Sequence, residues 1–245
     1  MHKITVCMAT YNGEKYIGQQ IESILTQLEI DDELVIIDDV SSDGTAVYVK
    51  NICDKRIRLV ENKMNIGITA SFEKALILSK GNIIFLCDQD DIWFDNKIEK
   101  IKGVFNEDSV DIVQHDAVIV NNDMEIIRSS FKDLRNAGPG VIKNIISNTY
   151  LGCGMALRRS VIDKCLPIPK QKGYHDRWIG IVSEIQGCKA VFIDEPLMYY
   201  VRHEGTGSNL KRRNLWVIIV DRINLIKSII CFFIKKFFFR RKATL

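Results

Sequence analysis

One apolar run that ends in a cluster of acids constrains the fold of this chain most. The run, Ile83 to Cys87, is apolar without alternation, which is typical of a central parallel strand covered on both faces. Asp88, Asp90 and Asp91 follow it. The carboxyl end of such a strand faces the ligand crevice, where clustered carboxylates need a cation or a polar ligand to offset desolvation. We therefore predict a metal site there; the alternative is a solvated loop in which Asp95 caps the next helix.

Length and composition fit one large domain or a domain with an appendage, and we expect one catalytic domain. The 245 residues, 47% of them hydrophobic, are enough to bury a full core. The net charge of +3 comes with interspersed acids and bases, so we expect no nucleic-acid partner. Seven scattered cysteines without a C-x-x-C pair favour a reduced, cytosolic protein, and no secretory signal is visible before the first strand.

Strands and helices alternate through the first half of the chain. The predicted strands are Ile4 to Met8, Glu33 to Ile37, Ile57 to Val60 and Ile83 to Cys87. Three helices are predicted between them. The first has apolar residues at helical spacing from Ile17 to Leu28, the second contains Val47 and Val49 after a cap at Ser42 or Asp43, and the third spans about Thr69 to Leu78. Such a series predicts right-handed crossovers and a parallel sheet. In the strand order 3-2-1-4, the crevice opens between strands one and four.

That order brings polar side chains to one edge of the sheet. They are Asp38, Asp39, Asp88, Asp90 and the turn from Thr10 to Asn12. No G-x-G-x-x-G follows the first strand and no P-loop motif occurs, so a cation is the remaining means of holding phosphates. Carboxylate oxygens suit Mg²⁺ or Mn²⁺. The site therefore predicts a nucleoside diphosphate bridged by metal.

Five segments carry a resemblance to a known family. They are Ala9-Thr10-Tyr11-Asn12-Gly13-Glu14, Ile37-Asp38-Asp39-Val40-Ser41-Ser42-Asp43-Gly44-Thr45, Asn65-Ile66-Gly67, Asp88-Gln89-Asp90-Asp91-Ile92-Trp93 and His175-Asp176-Arg177-Trp178. With them the chain resembles the family-2 glycosyltransferases of the GT-A fold, especially the bacterial rhamnosyltransferase-like members that build surface polysaccharides. Many relatives have Pro in place of Ala9 and Gly in place of Val40, and a β-branched residue disfavours positive φ.

The resemblance implies roles on the donor side. The residues implied to line the nucleotide are Thr10, Tyr11, Asn12, Glu14 and Asn65. Asp39, with Asp38 behind it, would read the base. Asp88 and Asp90 would form the Asp-x-Asp pair at the ribose and the metal, with Asp90 as the direct ligand.

The second half carries the implied acceptor side. An inverting transferase needs a general base, and Asp176 matches the family's base, beside Trp178 as an aromatic platform for a sugar ring. The alternative is that Asp176 caps the helix through Trp178. Gly152 and Cys153 resemble a segment under the acceptor, or serve only close backbone packing. His203 is a further metal ligand, a diphosphate contact, or neither.

The tail is apolar from Leu215 to Phe239, but charged residues interrupt it too often for a membrane span. The residues predicted on its apolar face are Ile223, Ile226, Ile230, Phe233, Ile234 and Phe237. Those predicted opposite are Asn224, Lys227, Ser228 and Lys235, and Arg240-Arg241-Lys242 closes the end. This pattern predicts a helix lying in an anionic membrane interface, with homodimer packing as the alternative.

The sequence thus predicts an α/β protein of GT-A (Rossmann-like) fold, with a mixed, mainly parallel sheet, flanking helices and a C-terminal amphipathic helix. The domain spans about residues 1–210, with a nucleotide-sugar half to about 110 and an acceptor half from 111, and the tail spans 211–245. The predicted activity is inverting sugar transfer from a nucleotide sugar to a glycan or lipid-linked glycan, on the cytoplasmic face of the membrane. A metal-dependent phosphohydrolase and a catalytically silent nucleotide- or glycan-binding module remain the alternatives.

Overall fold

Strands and helices alternate from residue 4 to residue 87, and the elements beyond are less regular. The computed structural model describes residues 3–170, 175–203 and 214–243, with side chains of the last helix described as far as residue 238. The strands are β1 (Ile4–Thr10), β2 (Glu33–Asp38), β3 (Ile57–Glu61), β4 (Ile83–Cys87), β5 (Ile92–Trp93), β6 (Ile112–Asn121), β7 (Ile126–Arg128), β8 (Met155–Arg158) and β9 (Ala190–Arg202). The helices are α1 (Ile17–Leu25), α2 (Thr45–Asn51), α3 (Ile68–Leu78), α4 (Lys97–Val104), α5 (Phe131–Arg135), α6 (Val141–Ile146), α7 (Arg159–Cys165), α8 (His175–Ile185) and α9 (Leu215–Ala243).

The strands of the described residues form one mixed sheet. Its order is β3-β2-β1-β4-β8-β6-β9-β5, and β7 pairs with β6. The first four strands are parallel, which confirms the predicted order 3-2-1-4. The second half is different, because β8 runs antiparallel to both β4 and β6, while β6 and β9 are parallel. The first half of the chain is therefore a doubly wound sheet, and the second half extends it.

Each of the two faces of the sheet packs against a separate hydrophobic core cluster. In β1, Val6 and Met8 pack into the cluster that contains α1, and Cys7 and Ala9 pack into the cluster that contains α3 and α8. Successive side chains of a strand point to opposite faces, so both sets are buried. This double cover explains why the central strands read as continuous apolar runs.

In the loop after β2, the β-branched residue Val40 adopts a left-handed backbone conformation. Val40 has φ +65°, a conformation that costs about 1–3 kcal/mol for such a residue. Asp38 stabilises the turn, since its carboxylate accepts hydrogen bonds from the Ser41 amide at 3.0 Å and the Ser41 hydroxyl at 2.6 Å. Asp43, one of the two predicted caps, accepts a bond from the amide of Thr45, the first residue of α2. The chain thus keeps the positive φ without glycine.

The C-terminal helix α9 packs onto the domain. Leu225, Ile229 and Phe232 are buried in the cluster that contains Trp178, whose ring meets the Phe232 ring edge-on at 5.3 Å. No helix in the described ranges is both long enough and apolar enough to cross a membrane. The predicted division at residue 210 falls among residues 204–213, outside the described part of the chain, and it stays a prediction.

The outward face of α9 is largely the one that the sequence predicted. Its residues, with exposed fractions from 41% to 56%, are Ile223, Ile226, Ile230, Ile234 and Phe237. Two assignments were wrong. Phe233 packs partly into the core cluster, and exposed Lys227 lies on the apolar face, because it follows Ile223 by one helical turn.

A buried ion pair fastens α9 to α8. The guanidinium of Arg177 is nearly inaccessible, with 3% of the side chain exposed, and donates to the Asp221 carboxylate at 3.2 Å. Arg222 donates to the same carboxylate. Removing one partner of a buried pair leaves an uncompensated charge, which is far more costly than losing an exposed pair.

We expect Asp221→Ala to lower the free energy of unfolding by about 3 kcal/mol, because it leaves Arg177 buried without its carboxylate. Glu61→Ala is the matched control: it removes the exposed pair with Lys50 and should cost less than about 1 kcal/mol. Urea unfolding of both variants measures the difference. Equal costs would mean that the Arg177–Asp221 pair is effectively solvated.

Candidate functional site

The acid cluster lies where β4 ends and β5 begins. Asp88 follows β4 directly and is half-buried, whereas Asp91, just before β5, is 1% exposed. The Asp91 Oδ1 atom accepts a bond from the Val201 amide of β9 at 3.3 Å. Its Oδ2 atom is buried and has no partner of hydrogen-bond geometry among the residues that the structure describes. Pairing of β5 with β9 therefore pins the acids between two strands.

The acids group differently from the sequence expectation. Oxygen atoms of Asp88 and Asp91 and the sulfur of Cys153 lie within 4.8 Å of one another, so Asp91 rather than Asp90 joins Asp88 there. An Asp90 carboxylate oxygen lies 2.7 Å from His203 Nε2 instead. The His203 ring stacks on Tyr16, with centroids 4.3 Å apart. The two predicted ligands Asp90 and His203 are thus adjacent, beside the three-residue group.

Burial controls the charge of this cluster. Burial and, after it, the neighbouring charge of Asp90 together raise the pKa of Asp88 to about 7. The charge of Asp176 also raises the Asp88 pKa, so the predicted base lies within electrostatic reach of the acids. The ammonium of Lys97 acts in the opposite direction. Two groups that the sequence separates by 88 positions, Asp88 and Asp176, therefore lie near each other in the fold.

The donor set fits a hard divalent cation. Burial raises the pKa of the Cys153 thiol well above its ordinary value, and the charges of Asp91 and Asp88 raise it further, so the thiol is neutral. The remaining donors are the carboxyl oxygens of Asp88 and Asp91, an atom type that suits Mg²⁺ or Mn²⁺ rather than a thiolate-binding metal. The Asp91 Oδ2 atom belongs to this donor set and is buried, so it too is an oxygen that a ligand could use.

Lys97 is a part of the site that sequence reasoning missed. It is 1% exposed, donates to the Cys153 carbonyl at 3.0 Å and lies 3.9 Å from the centroid of the Trp93 ring. Burial lowers its pKa to about 8, although nearby acids oppose the shift. No local signal marks it, because a lysine at a helix start normally faces solvent. The alternative cap is wrong as well: α4 follows Asn96, and no side chain caps it.

Gln89, treated as the spacer of the Asp-x-Asp pair, holds the loop after β1. Its Oε1 atom accepts bonds from the Thr10 hydroxyl and, at 2.9 Å, from the Tyr11 amide. Its Nε2 atom donates to the Tyr11 carbonyl at 3.2 Å. A Cβ atom on Gly13 would lie 2.3 Å from Gln89 Oε1, so this approach requires glycine. Thr10 is buried and Tyr11 half-exposed beside the acids.

The loop after β1 is also tied to the loop after β2. Asn12 donates from its amide to the Ser41 hydroxyl at 2.9 Å and accepts from the Ser42 amide at 2.8 Å. Glu14 accepts from the Gly44 amide at 3.0 Å. Both predicted nucleotide-lining residues thus organise the crevice wall, and their contact with a nucleotide stays a prediction.

Asp39 fastens the loop before α3. Its carboxylate accepts bonds from the amides of Ile66 at 2.8 Å and Gly67 at 2.7 Å, and from the Asn62 side chain at 2.8 Å. Asn65 donates to the Asp39 carbonyl at 3.1 Å. Because a carboxylate has about four acceptor positions, little capacity is left for a base. Base reading by Asp39, which is 3% exposed, stays a prediction.

Asp176 lies in the first turn of α8, with both oxygens oriented by donors. Oδ2 accepts from the Asn148 side chain at 3.2 Å, and Oδ1 accepts from the Arg177 amide at 2.6 Å. Asn148 had no sequence signal, because only the fold brings it to α8. A Cβ atom on Gly152 would lie 2.8 Å from His175 Nε2, so the close-packing alternative accounts for this glycine. Cys153 is fully buried beneath the acids.

The predicted sugar platform is wrong. Trp178 is fully buried, and its indole nitrogen donates to the Cys165 carbonyl at 2.7 Å. Its side chain leaves α8 on a different side from that of Asp176 and packs in the core beneath α9. The large aromatic side chain was conspicuous in the sequence because it packs the core, and it offers no surface to a ligand.

Comparison with known proteins gives a consistent family assignment. The sequence family described as "Glycosyl transferase family 2" matches residues 5–166. A relative from Escherichia coli, the "UDP-Glc:alpha-D-GlcNAc-diphosphoundecaprenol beta-1,3-glucosyltransferase WfaP", is 28% identical over 94% of this chain and 87% of its own length. Two other matched relatives are longer, and the chain spans 65% and 61% of their lengths.

Solved structures show the same fold. Staphylococcus aureus TarS 1–349 in complex with UDP-GlcNAc has a TM-score of 0.70 and 20% identity, covering 91% of this chain and 66% of that one. The mannosyltransferase PcManGT from Pyrobaculum calidifontis, in complex with GDP-Man and Mn2+, has a TM-score of 0.63 and 20% identity, covering 82% and 56%. These likenesses confirm the predicted GT-A fold.

We expect Asp88→Asn to stabilise the metal-free protein at pH 8. Because the folded pKa is raised above the ordinary value, the fold keeps this proton to higher pH, and wild-type stability falls as pH rises from about 4 to about 7. The variant escapes that loss, so its advantage should be on the order of 2 kcal/mol at pH 8 and vanish near pH 4.

Urea unfolding in EDTA at both pH values measures this difference, with the exposed Asp108→Asn as control. An advantage of equal size at both pH values would show that Asp88 is not protonated in the fold.

Proposed function

The chain belongs to glycosyl transferase family 2, and from that membership we propose an inverting transfer of a hexosyl unit from a nucleotide sugar to a glycan acceptor in surface polysaccharide synthesis. One observation carries the proposal: Asp176 acts electrostatically on Asp88, so the proposed base on α8 lies near the acids at the end of β4. An acceptor hydroxyl and a donor diphosphate need this opposition of base and phosphate-binding site.

On the donor side, the loops after β1 and β2 hold the nucleotide, and the acids hold the diphosphate through a divalent cation. Asp88 and Asp90 would bind Mg²⁺ or Mn²⁺, with His203 beside Asp90 as a further ligand or diphosphate contact. When bound, such a cation stabilises the departing diphosphate as a Lewis acid. Mn2+ in the structurally similar mannosyltransferase complex supports this choice of cofactor.

On the acceptor side, Asp176 is the proposed general base. It takes the proton of the acceptor hydroxyl while that oxygen attacks the anomeric carbon of the donor. The bond from the anomeric carbon to the diphosphate oxygen breaks, its electron pair leaves with the diphosphate, and the configuration inverts. Asn148 and the Arg177 amide hold the carboxylate in one orientation for this step.

The activities named for the relatives decide which nucleotide sugars should be tested first as donors. WfaP is named for transfer of glucose from UDP-Glc to a diphosphoundecaprenol-linked sugar, so UDP-glucose comes first. Nucleotide-activated rhamnose follows, because of the rhamnosyltransferase-like resemblance of the motifs. The same name supports a lipid-linked glycan as acceptor.

A lipid-linked acceptor implies work at a membrane surface. The outward apolar residues of α9, among them Ile223, Ile230 and Phe237, stand beside exposed Lys227 and Lys235. We propose that this face binds an anionic membrane from the cytoplasmic side, peripherally. Because α9 buries Leu225 and its neighbours in the core, substitutions on the outward face test this better than truncation.

We expect Asp90→Asn to abolish metal-dependent donor binding while leaving the fold intact, since the change is isosteric and removes a charge beside Asp88. Calorimetric titration of UDP-glucose with Mn²⁺ or EDTA measures it. Asp91→Asn is the comparison, because the two acids are adjacent but differently partnered. A larger loss in Asp91→Asn would transfer the ligand role to Asp91.

We expect Asp176→Asn to lower turnover about 10² to 10⁴-fold with nearly unchanged donor affinity, as losing a general base requires. Release of nucleoside diphosphate with acceptor present measures turnover. The exposed Asp163→Asn on α7 is the control and should match wild type. Loss of donor affinity together with turnover would assign Asp176 a structural or donor-binding role instead.

A further inference from the structure

The short helix α6 exposes apolar side chains beside α9. Ile142 and Ile146 are 74% and 66% exposed, while Val141 and Ile145 pack against the core cluster under α9. Two isoleucines this accessible on one short helix are not explained by packing within the chain. Exposed apolar groups gathered on neighbouring elements are typical of a surface that meets a partner.

Two arginines lock α6 to α8 and α9. The Arg177 guanidinium donates to the Asn144 carbonyl at 2.9 Å and to the Ile145 carbonyl, which belong to the last turn of α6. Arg222 of α9 donates to the Ile146 carbonyl at 2.9 Å. These bonds satisfy carbonyls that a helix end leaves unpaired. The exposed side chains of α6 and α9 therefore belong to one fixed body, the α6–α9 surface.

The charge of the α6–α9 surface fits an anionic partner. Asp221 is the one acid in the sequences of both helices, and two arginines already neutralise it. Lys143, Lys227 and Lys235 add positive charge. The two helices thus combine a broad apolar area with basic residues and have no unpaired acid. This combination favours binding to the headgroup layer of an anionic bilayer.

The α6–α9 surface lies close to the proposed base along the chain. Asn148, two residues beyond the end of α6, donates to the Asp176 carboxylate. An acceptor whose lipid lies in the bilayer beneath α6 would therefore reach Asp176 over a short path.

We propose that α6 and α9 together form the bilayer-docking surface, and that α6 brings the hydroxyl of a lipid-linked acceptor to Asp176 from the membrane side. The inference rests on the proposed function and extends it, because it adds α6 to a membrane contact otherwise assigned to α9. It makes the bilayer part of acceptor recognition.

Three double variants test the inference. Ile142→Ser with Ile146→Ser removes the apolar side chains of α6, and Ile223→Ser with Ile230→Ser removes two from α9. Ile30→Ser with Ile77→Ser is the matched control, since these isoleucines are 84% and 62% exposed on neither helix. Cosedimentation uses vesicles of equal parts phosphatidylglycerol and phosphatidylcholine, and thermal unfolding checks each fold.

We expect the α6 and α9 variants each to weaken vesicle binding about tenfold, and the control to bind as wild type. Added salt should weaken wild-type binding without abolishing it. Turnover of the α6 variant should fall with a lipid-linked acceptor in vesicles and hold with a short water-soluble acceptor. If the α6 double variant unfolds early, Ile142→Ser alone replaces it and should show a smaller loss in the same direction.

The inference would be overturned if the α6 variant bound vesicles as tightly as the wild type while the α9 variant lost binding. The proposed function would then still stand. A wild-type chain that ignores vesicles but forms a dimer broken by either variant would make the surface a subunit interface. Failure of the transferase proposal itself is separate, because the wild type would then release no nucleoside diphosphate from any donor, even with the water-soluble acceptor.

Discussion

The site depends on the cost of holding carboxylates out of water at the end of β4. Burial raises the pKa of Asp88, and the Val201 amide of β9 donates a hydrogen bond to the buried Asp91 carboxylate. The buried ammonium of Lys97, which lies near these acids, offsets part of the cost of burying their charge. The surrounding elements follow from this constraint, since β5, the turn at Cys153 and the first turn of α4 all pack around the acids and the lysine.

The crevice walls are held by side chains bonded to backbone rather than by apolar packing. Gln89 holds the loop after β1, Glu14 holds the loop after β2, and Asp39 holds the loop before α3. Such bonds fix loop positions at the surface, where little apolar area is available. Several residues of the family motifs thus have a structural role here that does not require a bound nucleotide, whatever they contact when one is present.

In the second half of the chain, the buried guanidinium of Arg177 joins three helices. Arg177 connects α8, α6 and α9, so the helix that carries Asp176 and the helix that faces outward are parts of one hydrogen-bonded unit. A charged group can be buried in this way only when every neighbour is fixed, because an unmatched partner is costly. The C-terminal helix is consequently a structural component of the domain as well as a candidate membrane contact.

The sequence by itself determined the nucleotide half. Continuous apolar runs and helical spacing predicted β1 to β4, their order and the acids at the end of β4, because these features depend on local periodicity and on the handedness of crossovers. Only the tertiary structure decided which groups meet. It placed Asp91 rather than Asp90 with Asp88, buried Trp178 in the core, brought Lys97 beneath the acids and Asn148 to Asp176, and turned Lys227 outward. Local pattern encodes how much a side chain is buried on average, whereas its neighbours are set by contacts between segments distant in the chain, which no local pattern specifies.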